Sequence, residues 1–138
     1  MNLDTSTTGV TWKLLCLAGL FLLAFIPRYY SVQSLGWDWD GPGSFTLINF
    51  DEAGSCRAAL GGFDYSTFTG KQTITLASAL GLAPPPGIEG DAARVKAYCH
   101  SAGHIQVARL YSALLGSLTV VLLAWLALML VPGKPAVA

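Results

Sequence analysis

Two apolar blocks, separated by a long mixed segment, set the pattern of this chain. From Leu110 to Gly133, LYSALLGSLTVVLLAWLALMLVPG, no side chain is charged, and a helix needs roughly 20 apolar residues to cross a bilayer. This block predicts a membrane-spanning helix over 105–132. The first block, LLCLAGLFLLAFIP from Leu14 to Pro27, is shorter. Read alone it also fits the apolar region of a signal peptide with Lys13 as its positive flank, but Arg28-Tyr29-Tyr30 follow it in place of a small-x-small cleavage site. With Val10 and Trp12 included, Lys13 reaching back to headgroups and Tyr29 and Tyr30 at the far interface, the pattern favours an uncleaved span over 10–30. Residues 1–9 and 133–138 then form short tails.

The segment 31–104 between the blocks has parts of its own. SLGWDWDGPGSF, Ser34 to Phe45, is rich in Gly, Trp and Asp and predicts an irregular stretch at the membrane surface. DEAGSCRAALGGF predicts a short helix capped or opened by Asp51 and ended by Gly61-Gly62. KQTITLASALGLA predicts a second, lying in the interface and stopped by Pro84-Pro85-Pro86, too short to span. Asp91 predicts the cap of a third, DAARVKAYCH, with Val95, Tyr98 and Cys99 on one side and Arg94 and Lys96 toward water or headgroups. The fold class expected is therefore all-α and integral to a membrane, two transmembrane helices flanking a long loop with short interfacial helices.

Composition agrees: 53% of residues are hydrophobic, 12% are charged, and mean hydropathy is +0.52. Net charge is zero and there is no basic stripe, which argues against nucleic acid as a partner. Asp4, Lys13 and Lys134 are too few to orient the spans by the positive-inside rule. Cys16 falls in the first span. Cys56 and Cys99 can pair if the loop lies in an oxidising compartment, or stand as two free thiols.

Against this background the adjacent carboxylates Asp51-Glu52 stand out. Neighbouring side chains on a helix start diverge by about 100 degrees, so one of them faces a site and the other holds structure; the plain alternative is a cap followed by a dipole-stabilised Glu. Arg109 and Arg28, each at the loop-side end of a span, suit a phosphate or a carboxylate, or reach to headgroups. His100 and His104 have metal-ligand spacing, but no carboxylate lies at a matching interval and no metal is expected. Asp38 and Asp40 alternate with Trp37 and Trp39, a pattern open to sugar stacking or to interfacial anchoring. Phosphate-binding glycine loops, nucleophile elbows and zinc-protease helices are absent from the sequence.

In order, an apolar block ending in arginine, FDEAGSCRAAL, a long segment of short helices and VARLYSALLGSLTVVLLAWL resemble the N-terminal part of the GT-C glycosyltransferases, in particular the protein O-mannosyltransferase-like family. That resemblance implies the front of a multi-span GT-C fold. It also implies a periplasmic 31–104 loop in a bacterial inner membrane, and inverting transfer of a sugar from a polyprenyl-phosphate donor to a hydroxyl of a lipid or protein acceptor. It makes Asp51 the catalytic base, Glu52 its structural or acceptor-side partner and Arg109 a contact to the donor phosphate or the acid pair. No cofactor is implied beyond the lipid-linked donor. Family members are much longer and carry many more spans, so the expectation is a front fragment that lacks the remaining transmembrane helices and is inactive alone. The PPPG element here also precedes a charged stretch, where the family often opens a span with a PPL-like element. A second reading, from another class, is a small two-span protein that assembles or stabilises a membrane complex through Ser112-xxx-Gly116 and Ala113-xxx-Ser117.

Overall fold

The structure, a computed structural model, describes residues 5–38, 42–45, 53–61 and 67–130. The described residues form five helices and no strand: α1 (Thr5–Ser34), α2 (Gly54–Ala59), α3 (Thr67–Ala79), α4 (Ala92–Cys99) and α5 (Ala102–Leu130). Two stretches, Thr11–Ser34 and Ala102–Leu130, are long and apolar enough to cross a membrane. Only 6% and 11% of their most apolar stretches is buried within the structure.

Both long helices outrun the expected spans. α1 continues past residue 30 because its last turn has contacts: Val32 is buried, and the Gln33 side-chain carbonyl accepts from the Gln106 amide at 3.0 Å. α5 begins at Ala102 and not at 105. The Ser101 carbonyl accepts from the Ile105 N–H at 3.1 Å and its hydroxyl from the His104 N–H at 3.4 Å, so Ser101 opens the helix and His104 lies inside its first turn.

The described residues pack as two compact units. One unit comprises the described parts of Met1–Tyr30 and Ser112–Ala138, the other Ser31–Tyr111. In the first, α1 carries an i, i+4 ladder of rings, with Phe21 and Phe25 stacked at 5.5 Å and Phe25 and Tyr29 at 5.6 Å. Pro27 lies inside the helix and has no N–H for the Leu23 carbonyl.

The second unit owes its order to a small core of Ala53, Cys56, Leu60, Ile88, Val95, Cys99 and Ile105, flanked by Phe45, Ile74 and Tyr98. α2 packs on α3 and α4. Contact with α3 is close because position 70 is glycine: a Cβ there would overlap the Ser55 carbonyl group. The N-cap of α2 is Ala53, completely buried, whose methyl group accepts no hydrogen bond; Asp51, the expected cap or opening residue, lies outside the described residues. The helix ends as expected at Gly61, with φ 78°, whose N–H donates to the Ala58 carbonyl at 3.1 Å; Gly62 lies outside the described residues.

α3 also departs from expectation. It starts at Thr67 and stops at Ala79, before the prolines. A Schellman motif ends it: the Gly81 N–H (φ 81°) donates to Ser78 O at 3.1 Å and the Leu82 N–H to Ala77 O at 2.8 Å. Leu82 has two further roles. Its carbonyl accepts the Tyr98 hydroxyl at 2.9 Å, and its side chain fills the space in front of Gly103. α4 follows its prediction, with the Asp91 carboxylate accepting from the Ala93 and Arg94 N–H groups at 3.1 Å, and with Val95 and Cys99 buried.

Candidate functional site

Cys56 and Cys99 are joined as a disulfide with a Cα–Cα distance of 5.7 Å, which ties α2 to the last residue of α4. Both cysteines are almost completely buried in the core. Asp51 and Glu52 lie outside the described residues, two and one positions before Ala53, the N-cap of α2.

The segment after α1 is held by its own backbone contacts. The Asp38 N–H donates to Ser44 O at 3.0 Å, and the Asp38 carboxylate accepts from the Gly43 N–H. Asp38 has a φ of 58°, a conformation that Asp tolerates better than most side chains. A single antiparallel bridge pairs Trp37 with Phe45, and their rings meet tilted, centroids 4.8 Å apart. Asp38 therefore closes a local turn and Trp37 packs within it. Trp39 and Asp40 lie outside the described residues.

Arg109, in α5, holds this segment at two points. Its guanidinium donates to the Leu35 carbonyl and lies over the Phe45 ring, 5.5 Å from the centroid. A planar cation suits both partners. Spacing alone pointed to an anion-binding or headgroup-seeking arginine; its backbone and ring partners lie 74 and 64 positions away and left no local signal. Arg28 belongs to the other unit. It is exposed, its Nη1 donates to the Ala24 carbonyl at 2.7 Å, and a Cβ at Gly116 would stand 3.3 Å from its Nε.

The two histidines differ in surroundings. His100 ends α4, and burial pushes its pKa below the usual value, helped by the positive charges of Lys96 and Arg57. His104 is buried next to the Tyr98 ring, centroids 5.0 Å apart, and both its ring nitrogens lack a hydrogen-bond partner. The phenol of Tyr98 is pushed to a higher pKa by burial. Among the described residues no group of three or more His, Cys, Asp or Glu side chains gathers as a metal site. Cys16 is a free, exposed thiol on α1.

No protein-family model, curated protein or solved structure matches the chain. What the described residues define is an all-helical protein with two apolar helices of membrane-spanning length and a disulfide-bonded helical unit between them.

Proposed function

We propose that this chain is an integral membrane protein and forms the acceptor-side part of a lipid-phosphate-sugar-dependent glycosyltransferase, with 31–104 on the periplasmic side of a bacterial inner membrane. The observation that carries the reading is the buried Cys56–Cys99 disulfide, whose first cysteine follows Asp51 by five positions in the sequence. Disulfides persist on the oxidising side of a membrane, the side this chemistry requires of the acid pair. The exposed apolar faces of α1 and α5 support insertion, since in water they would form a large uncovered patch.

On this reading Asp51 takes the proton of the acceptor hydroxyl as that oxygen attacks the anomeric carbon. The bond from that carbon to the phosphate oxygen breaks, the electron pair leaves with the polyprenyl phosphate, and the configuration inverts. Glu52, turned away from Asp51 by the helical step, holds the acceptor or the loop. Arg109 positions the approach to the pair by clamping Leu35 and Phe45. The reading as a two-span assembly protein draws less support, because its small-residue face is already used: Ala113 and Ser117 are buried and Gly116 lies under Arg28.

The test is hexose transfer from a labelled polyprenyl-phosphate donor to peptide or lipid acceptors in membranes carrying the full-length protein of which this chain is proposed to be the front. Transfer above control membranes is expected, and its loss in Asp51→Asn with unchanged insertion. An Asp51→Asn protein that works at the full rate would remove the role of Asp51. Labelling of Cys56 and Cys99, after reduction, by an impermeant thiol reagent only from the cytoplasmic side would remove the whole reading.

A further inference from the structure

We infer that Arg28 binds the phosphate of a membrane lipid at a site formed by α1 and Gly116 of α5; this rests on the membrane reading above, though not on the transferase chemistry. The starting point is depth. Lys13 and Arg28 bracket the apolar part of α1, and the rise between them is about 22 Å, short of the roughly 30 Å of a bilayer's hydrocarbon core. An arginine that only anchors the end of a span extends its side chain outward to the headgroups. Arg28 does the opposite: it turns back onto its own helix and donates to the Ala24 carbonyl at 2.7 Å, next to the turn where Pro27 leaves the Leu23 carbonyl without its usual donor.

Its second neighbour points the same way. Nε, Cδ and Cζ of Arg28 would lie 3.3 to 4.0 Å from a Cβ at position 116, so glycine there is what leaves room for the guanidinium. Along α5, Gly116 is about 10 Å beyond Arg109, the last charged residue of that helix. A permanent cation is thus held at a level where α5 carries only uncharged side chains, and such a charge is costly unless an anion shares the site.

The protein supplies no such anion in this unit's described helices. Neither α1 nor α5 contains an Asp or Glu, and beyond the Ala24 carbonyl the guanidinium has no hydrogen-bond partner among the described residues. The side chain is exposed, so its free N–H groups face whatever surrounds the helix. In a membrane that is lipid, and the planar fork of arginine matches two phosphate oxygens. Tyr29 and Tyr30, both exposed on the following residues, are suited to the same headgroup level.

The experiment uses the full chain purified into nanodiscs of phosphatidylcholine doped with either phosphatidylglycerol or a polyprenyl phosphate, with bound lipid quantified by native mass spectrometry. Enrichment of one or both phosphate lipids is expected for the wild type. Arg28→Gln should lower it at least about tenfold, the loss expected for a charge-assisted hydrogen bond; Arg28→Lys should keep part of it. Enrichment of phosphatidylglycerol alone identifies a bilayer headgroup as occupant, and enrichment of polyprenyl phosphate alone a carrier lipid; either supports the site. Formation of the Cys56–Cys99 disulfide, read by gel mobility, checks that each variant folds. Equal enrichment in Arg28→Gln overturns the site, as does displacement of the lipid by millimolar inorganic phosphate, which would make it a site for free phosphate. Alkaline carbonate extraction separates the two levels: a chain released from membranes sinks the membrane reading and the site with it, whereas a retained chain without lipid preference sinks the site alone.

Discussion

Replacing both Cys56 and Cys99 by alanine removes the one covalent link in the 31–111 unit, and the size of the effect follows from chain statistics. The bond closes a loop with a sequence separation of 43. In the chain-entropy description a loop of that length removes about 13 cal/mol/K from the unfolded ensemble, or about 4 kcal/mol at 25 °C. If α1 and α5 stay inserted when the unit opens, its ends are already held, so about 4 kcal/mol is a ceiling. A loss of that size raises the opened population by up to about a thousandfold. Limited trypsin digestion reads this directly, because Arg57, Lys71, Arg94 and Lys96 all lie on α2, α3 or α4, and cleavage tracks the opened fraction when closing is fast. The double variant, or wild type under reductant, should be cut far faster at these four sites. Wild-type resistance in the double variant would show that the core of Val95, Ile105 and Leu60 holds the unit without the bond, and the loop-closure argument would fail.

Gly70→Ala should destabilise the unit by about 1–3 kcal/mol, the usual range for forcing atoms into a packed contact, because the new methyl meets the Ser55 backbone, which cannot swing aside. A thermal-unfolding midpoint equal to wild type would show that α2 and α3 separate at little cost. His100 gives a pH dependence. Its folded pKa lies below the unfolded value of 6.5, so the unfolded state takes up the proton first as pH falls. Stability is then fully present above about pH 6.5 and declines below it. His100→Gln should flatten the slope of unfolding midpoint between pH 7 and 5; an unchanged slope would mean that His100 contributes nothing to it.

Local signals were legible where the chain decides locally. Both apolar helices, the Asp91 cap and the Val95-Cys99 face follow from spacing and residue type. The start of α2 at Gly54, behind a buried Ala53 that offers no side-chain cap, does not follow from residue type. The end of α3 was misplaced because Gly81 and Leu82 complete a Schellman motif before the prolines are reached, and Pro84-Pro85-Pro86 is the louder signal in a string of letters. Pairing of Cys56 with Cys99 depended on two helices meeting, which no local pattern encodes. The contacts of Arg109 with Leu35 and Phe45, and of Arg28 with Gly116, join positions more than 60 residues apart, so their role in the site was out of reach of spacing arguments. The acid pair itself, the clearest anomaly of the sequence, lies in the stretch between these anchors and outside the described residues.

Leu82 bears on how this chain can be altered by insertion. Its N–H closes α3, its carbonyl receives Tyr98 of α4 and its side chain sits against Gly103 of α5, so one added residue between Ala79 and Leu82 would break all three at once. Three positions later the backbone is free of such duties: Pro85, Pro86 and Gly87 are exposed, and a tag or reporter set there would lengthen a surface turn while leaving the register of every helix intact.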